Sequence, residues 1–210
     1  MRMRTRGHLE ERLQMCQDLQ LQDYQEAVRD FALSSPLHIE IGCGKGAFIT
    51  QTALNNPDIR YIAIEKVSNV IVLAMEKAKN EQLNNIRFMR GNFLTLSESF
   101  PENSVDRIYL NFSDPWPKTG YAKRRLTHGG FLDIYKRILK ISGEIFFKTD
   151  NRELFDFSVE SFTNNNFTLK NVTYDLHNSN FSGNIMTEYE QRFSSMGVPI
   201  CRLEATIKKD

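Results

Sequence analysis

The chain has 210 residues, 40% of them apolar, and a formal net charge of +1, which suits one large α/β core and excludes a protein that binds nucleic acid through overall positive charge. No apolar run approaches the roughly eighteen residues of a spanning helix, the N-terminus lacks the apolar stretch of a secretory signal, and Cys16, Cys43 and Cys201 are odd in number without a CxxC spacing. Free thiols in a reducing, cytoplasmic compartment are therefore expected, with no membrane partner. His8, His38, His128 and His177 have no metal-ligand spacing, so no metal is expected. Positive charge concentrates in two places, Arg2, Arg4 and Arg6 at the N-terminus and Lys118, Lys123, Arg124 and Arg125 in the middle of the chain.

Residues 1–34 read as a helical or partly disordered extension. Leu9, Leu13, Cys16 and Leu19 recur at helical spacing among Glu, Gln and Asp, and the segment is expected outside the sheet. Ser34-Ser35-Pro36 breaks the pattern, and residues 35–210 are expected to form a single domain. Leu37 to Ile41 is a short strand, Ala47 to Leu54 a helix stopped by Asn55-Asn56-Pro57-Asp58, and Tyr61 to Glu65 a second strand. A helix from Val67 to Gln82 leads to a third strand, Ile86 to Met89, followed by Gly91-Asn92. Val105 to Asn111 is the fourth strand. Thr127 is expected to cap a helix carrying Phe131, Ile134, Tyr135, Ile138 and Leu139, closed by Ser142-Gly143. Glu144 to Thr149 is the fifth strand and Glu153 to Phe162 a helix. Phe167 to Leu176 and Pro199 to Lys208 then read as an antiparallel pair around a polar loop, Thr187 to Phe193. This is an α/β chain with a Rossmann-like, doubly wound sheet of seven strands, mostly parallel with one antiparallel C-terminal strand.

Candidate functional groups fall at the carboxyl ends of these strands, where open α/β sheets bind ligands. Gly42, Gly44 and Gly46 follow the first strand and allow a tight turn and close approach to a ligand. The loop alone also admits a dinucleotide, since Gly42-x-Gly44-x-x-Ala47 fits that pattern. Glu65, nineteen residues beyond Gly46, can accept hydrogen bonds from a ribose diol in either case. Two residues favour S-adenosylmethionine. Glu40 suits its cationic amino-acid end and would repel a pyrophosphate, and Asn92 offers a donor and an acceptor to an adenine edge. Asp114 lies in Asn111-Phe112-Ser113-Asp114-Pro115-Trp116-Pro117-Lys118, where two prolines end the fourth strand beside a carboxylate, an aromatic and a cation.

Taken together, Glu40 to Gly46, Glu65, the Asn111 to Lys118 run, Lys123-Arg124-Arg125-Leu126 and Thr187-Glu188-Tyr189-Glu190 resemble the bacterial tRNA (guanine-N7-)-methyltransferase family over nearly the whole chain. The Ser-Asp-Pro-Trp-Pro-Lys and Thr-x-Tyr-Glu runs are distinctive, whereas many methyltransferases share the glycine loop. The resemblance implies methyl transfer from S-adenosylmethionine to N7 of a guanosine in the tRNA variable loop. It implies cofactor contacts at Glu40, Glu65, Asn92 and Asp114, a catalytic role for Asp114, and substrate contacts at Lys118, Asp150, Thr187, Glu188, Tyr189 and Glu190. Lys123, Arg124 and Arg125 would meet RNA, and the protein would act as a monomer or homodimer. Thr119-Gly120-Tyr121 stands where relatives carry more basic residues.

Guanine N7 has a free lone pair and no proton, so this transfer requires orientation and charge stabilisation rather than a general base. Glu190 is the candidate acceptor for guanine N1–H and the exocyclic amine, with Thr187 assisting and Asp150 as the competing carboxylate. Trp116 could stack on a base or plug the strand end. Competing readings are a methyltransferase for another acceptor, a catalytically silent RNA-binding module that holds an adenosine cofactor, and a nicotinamide oxidoreductase. The full set of polar strand ends weighs against the silent module.

Overall fold

The computed structural model describes residues 6–21, 24–32 and 35–208 of the chain, which divides into two compact units, residues 1–100 and 101–210. Arg2 and Arg4 of the N-terminal basic cluster, and the side chain of Arg6, lie outside the described residues.

The first unit begins with helices α1 (Arg6–Met15) and α2 (Tyr24–Ala32). Strand β1 (Leu37–Ile41), helix α3 (Ala47–Asn55), strand β2 (Arg60–Glu65), helix α4 (Ser68–Asn80), strand β3 (Ile86–Arg90) and the short helix α5 (Phe93–Leu96) follow. The three strands pair in parallel, Ile39 beside Ile62 and Tyr61 beside Ile86. All of β1 is buried, as in parallel strands covered on both faces, so His38 and Glu40 are enclosed although the sequence alternates apolar and polar residues. Helix α4 buries Ile71, Val72, Ala74, Met75 and Ala78, a helical stripe that packs beside the strands.

The N-terminal segment is more closely integrated than expected. Arg12 donates from Nε and Nη2 to both oxygens of Glu76, each at 2.6 Å, and so fastens α1 to α4. Leu21 N–H donates to the Phe88 carbonyl at 3.1 Å, and Gln20 makes one parallel bridge to Phe88. The segment supplies none of the seven strands, yet it reaches the sheet edge at Phe88. The reason is that β3 is an edge strand, whose open backbone groups need partners.

The second unit runs through β4 (Val105–Asn111), α6 (Gly129–Ile138), β5 (Leu139–Thr149), α7 (Arg152–Asn164), β6 (Phe167–Thr173), α8 (Glu188–Ser194) and β7 (Cys201–Ile207). Strands β4 and β5 are parallel, and β7 is antiparallel to both β5 and β6. The seven strands belong to one mixed sheet, so the expected fold class is the observed one.

Three local expectations change. The cap of α6 is His128, whose Nδ1 accepts from Gly130 N–H at 3.2 Å, while the Thr127 hydroxyl is buried against Ser158 Oγ at 2.7 Å. Burial of Thr127 removes it from capping geometry. Ser142-Gly143 does not close the helix but lies within β5, where the register slips between Val105 and Arg107. A Cβ at Gly143 would lie 2.9 Å from the Lys140 carbonyl, so only glycine fits this fold-back. Finally, the expected polar loop over 187–193 is helix α8. Thr187 Oγ1 accepts from Glu190 N–H at 2.9 Å, the N-cap implied by a T-x-x-E sequence. No helix among the described residues is long and apolar enough to cross a membrane.

Candidate active site

In the first unit the site is a glycine turn held by a carboxylate. Gly42, Gly44 and Gly46 have φ of +81°, +55° and +80°, left-handed values that a side chain would strain. Gly42 and Cys43 N–H donate to the Ile64 carbonyl at 2.8 and 3.0 Å, which ties the turn to β2. Glu65, at the end of β2, accepts from Gly44 N–H at 3.2 Å through Oε2, and from Lys66 and Val67 N–H at 2.8 and 3.0 Å through Oε1. A carboxylate accepts about four hydrogen bonds, so Glu65 shapes the turn and retains one acceptor position, on Oε2, for a ribose hydroxyl.

The same turn passes the test for an adenosine cofactor. A Cβ at Gly42 or Gly44 would meet nothing within 4 Å, whereas one at Gly46 would lie 2.5 Å from Ala74 Cβ. Two glycines therefore leave open space for a ligand, and the third permits close helix packing. Glu40 is buried at 2% exposure just before the turn. Burial, followed by the charges of Glu40 and Glu65, pushes the Cys43 thiol well above its usual range, so Cys43 is an inert lining residue. Asn92 is exposed and caps α5, its Oδ1 accepting from Leu94 N–H at 3.1 Å. That cap commits the carbonyl oxygen and leaves the amide donor to serve the expected adenine contact.

In the second unit the site is built on strained backbone and long-range side-chain contacts. Phe112 and Trp116 have φ of +51° and +43°, conformations that disfavour bulky residues by about 1–3 kcal/mol each and cluster at functional sites. Phe112 N–H donates to the Lys148 carbonyl at 2.9 Å. Arg125 holds the other strained point, donating from Nε to the Pro115 carbonyl at 3.0 Å and from Nη2 to the Trp116 carbonyl at 3.1 Å. Between them Asp114 is exposed, and the Ser113 hydroxyl is buried with no hydrogen-bond partner among the described residues. A buried, unpaired hydroxyl is rare in folded proteins.

The basic run after Asp114 divides by role. Lys118 and Lys123 are exposed. Arg124 is also exposed, with its guanidinium carbon 4.8 Å from the centroids of both Trp116 and Tyr121. Arg125 is instead engaged with the backbone and lies over the Phe157 ring at 4.3 Å. Sequence grouped these cations together, but tertiary contacts separate exposed side chains from a loop clamp.

Asp150, at the end of β5, accepts from the Tyr189 hydroxyl at 3.3 Å. Tyr189 lies against Phe112, centroids 5.1 Å apart, and stacks on Phe193 at 4.2 Å. Burial first, and then the Asp150 carboxylate, raise the Tyr189 hydroxyl pKa and keep it protonated as a donor. Glu188 is exposed on the same helix. Glu190 is 0% exposed. Its Oε2 accepts from Lys148 Nζ at 2.7 Å, its Oε1 accepts from Asn184 Nδ2 at 2.6 Å, and His177 Nε2 lies 3.2 Å from that oxygen. The two carboxylates considered for guanine therefore differ, Asp150 half-buried and Glu190 enclosed. Lys148, His177 and Asn184 were not singled out in sequence. The available signal was Lys148 itself, a cation in a strand otherwise reading Ile-Phe-Phe, where two-sided burial disfavours charge.

Comparison with known proteins identifies the family. A family model described as "Putative methyltransferase" matches residues 34–203. The tRNA (guanine-N(7)-)-methyltransferase of Lachnoclostridium phytofermentans is 52% identical over 181 residues, covering 86% of this chain and 85% of that protein. Those of Listeria innocua and Clostridioides difficile are 51% and 50% identical, covering 86% and 83% of this chain and 84% and 82% of theirs. Among solved structures, the 16S rRNA methyltransferase KamB has a TM-score of 0.66 at 14% identity, covering 90% of this chain and 96% of that one. An antibiotic-related methyltransferase has a TM-score of 0.61 at 17% identity, covering 89% and 94%. At those identities the structural matches speak to the Rossmann-like methyltransferase fold.

Proposed function

The chain belongs to the tRNA (guanine-N(7)-)-methyltransferase family, and from that membership we propose that it methylates N7 of a guanosine in the variable loop of cytoplasmic tRNA, using S-adenosylmethionine. The observation that carries the proposal is the agreement of relatives at 50–52% identity, all bearing one activity in their names and aligned over most of both chains. The cofactor supplies a methyl group on a cationic sulfonium. Glu40 meets its ammonium end, Gly42 and Gly44 let it approach the backbone, Glu65 accepts from its ribose, and the Asn92 amide donates to its adenine.

N7 has no proton to lose, so the protein's contribution is alignment and electrostatics. Asp114 fixes the approach of the reactants and stabilises the positive charge that arrives on the purine. Asp150 accepts from guanine N1–H and the exocyclic amine, in an orientation set by Tyr189. Glu190 supports that arrangement from within, since its two oxygens already accept hydrogen bonds from Lys148 and Asn184. Lys118, Lys123 and Arg124 meet phosphates, and Trp116 with Tyr121 offers stacking surface to an unpaired base.

The test is incubation with S-adenosylmethionine and unmodified tRNA, followed by nucleoside mass spectrometry. The expected product is 7-methylguanosine, and transfer should disappear when 7-deazaguanosine replaces the target. A preparation that binds the cofactor and yields no 7-methylguanosine would overturn the proposal.

A further inference from the structure

Helix α8 has only seven residues, too few to be stable through its own hydrogen bonds. It nevertheless carries Tyr189, the residue that orders Asp150. Something must hold it against the sheet. Its N-cap, in which Thr187 Oγ1 accepts from Glu190 N–H, is local and does not set where the helix sits.

Lys148 supplies that placement. It is 5% exposed, on β5 two residues before Asp150. Its ammonium donates to Glu190 Oε2 at 2.7 Å, to Asn184 Oδ1 at 3.1 Å and to the Ile185 carbonyl at 3.0 Å. These three acceptors lie in the segment that leads into and forms α8. Asn184 Nδ2 in turn donates to Glu190 Oε1 at 2.6 Å, closing a ring of contacts around the carboxylate. On the same stretch of backbone, the Lys148 carbonyl accepts from the strained Phe112 N–H at 2.9 Å. One residue of β5 thus joins the 184–190 segment through its side chain and the Phe112 turn through its main chain. Tyr189 packs on Phe112 from the other side.

A buried ion pair is an inefficient way to add stability, because desolvation offsets most of its attraction, and apolar residues of similar volume usually serve as well. Its advantage here is direction. An ammonium with three fixed acceptors specifies one placement of α8, where apolar packing would tolerate several. We infer that Lys148 is a positioning residue for guanosine recognition: through its buried contact with Glu190 it seats α8 so that the Tyr189 hydroxyl fixes the Asp150 carboxylate. This rests on the tRNA-guanine reading above and adds to it the element that holds the recognition surface in place.

Hydrogen–deuterium exchange on the full chain tests the seating without depending on activity. Lys148→Met should raise exchange over residues 184–194 by about tenfold or more, because a helix freed of its tertiary anchor opens locally, while α7 and the β5–β7 ladder keep their protection. Should the stranded Glu190 prevent folding, Lys148→Met/Glu190→Gln removes the uncompensated charge and should show the same localised loss. Unchanged protection over 184–194 in a folded variant overturns the inference.

Kinetics with unmodified tRNA test the recognition step. Lys148→Met should raise KM for tRNA by about tenfold with a smaller change in kcat and unaltered affinity for S-adenosylmethionine. Tyr189→Phe should impair the native enzyme and have little added effect beside Lys148→Met, since residues in one contact network are not additive. Additive losses would show that Lys148 acts apart from Tyr189 and would overturn its positioning role. Failure of the unaltered enzyme to form 7-methylguanosine refutes the activity alone, and the exchange experiment still decides the seating of α8.

Discussion

The candidate groups of the two units are built by different means. In the first unit the glycine turn is defined by backbone: three left-handed residues within five positions, tied to β2 by main-chain hydrogen bonds and by Glu65, 21 residues from Gly44. In the second unit the arrangement around Asp150 and Glu190 is defined by side chains distant in sequence, with Lys148 and Glu190 separated by 42 residues and Asp150 and Tyr189 by 39. The contrast teaches what each end tolerates. A backbone turn fails when any side chain intrudes, whereas a charge network fails when one partner is removed and survives better when both are neutralised together.

The largest expected effect lies in the network. Lys148→Met leaves a fully buried carboxylate without its cation and should destabilise folding by about 3–5 kcal/mol, measured by denaturant unfolding. Adding Glu190→Gln should recover much of that loss. No recovery would mean that the ion pair has little energetic coupling, and the proposed contrast would collapse.

Glycine substitutions sharpen the comparison from the other end. Gly46→Ala faces a left-handed φ and a contact of 2.5 Å with Ala74 Cβ, so it should destabilise by more than the roughly 1–3 kcal/mol of backbone strain alone. Gly42→Ala has the same backbone problem but open space around the new methyl. It should unfold at a higher temperature than Gly46→Ala while still weakening cofactor binding in calorimetry. Equal melting temperatures would show that the Ala74 contact is easily relieved.

A smaller effect separates the neighbouring arginines. Arg124→Ala should reduce the slope of log affinity for tRNA against log salt by about one, as expected for loss of one phosphate contact. Arg125→Ala should leave that slope nearly unchanged and lower the melting temperature, because its guanidinium holds the Pro115 and Trp116 carbonyls. Reversed results would exchange the two roles.

The smallest effect concerns the partly exposed pair between α1 and α4. Arg12→Ala should cost at most about 1 kcal/mol, since side chains this accessible are screened by solvent. The hydrogen bond from Arg12 lowers the Glu76 carboxyl pKa. Its contribution is therefore present above the unfolded carboxylate pKa and lost as pH falls through the folded one. The stability difference between native and Arg12→Ala proteins should accordingly vanish on acidification in paired unfolding curves.

Sequence alone determined the features carried by local rules. Short apolar-rich segments between turn signals marked the parallel strands, Gly42, Gly44 and Gly46 marked a tight turn, and Pro115 and Pro117 marked the end of β4. The T-x-x-E start of α8 was also present in the sequence, although the polar composition of 187–193 suggested a loop instead. The choice of His128 over Thr127 as a cap was not legible, because burial against Ser158 removes Thr127 from that role and depends on a residue 31 positions away. Nor was the separation of Glu190 from Asp150. Both are carboxylates beside distinctive motifs, and only the folded chain encloses one within Lys148, Asn184 and His177 while leaving the other accessible. Local backbone preference acts through a few neighbouring residues and is written in them; burial and charge pairing arise from groups that meet only when the chain has folded.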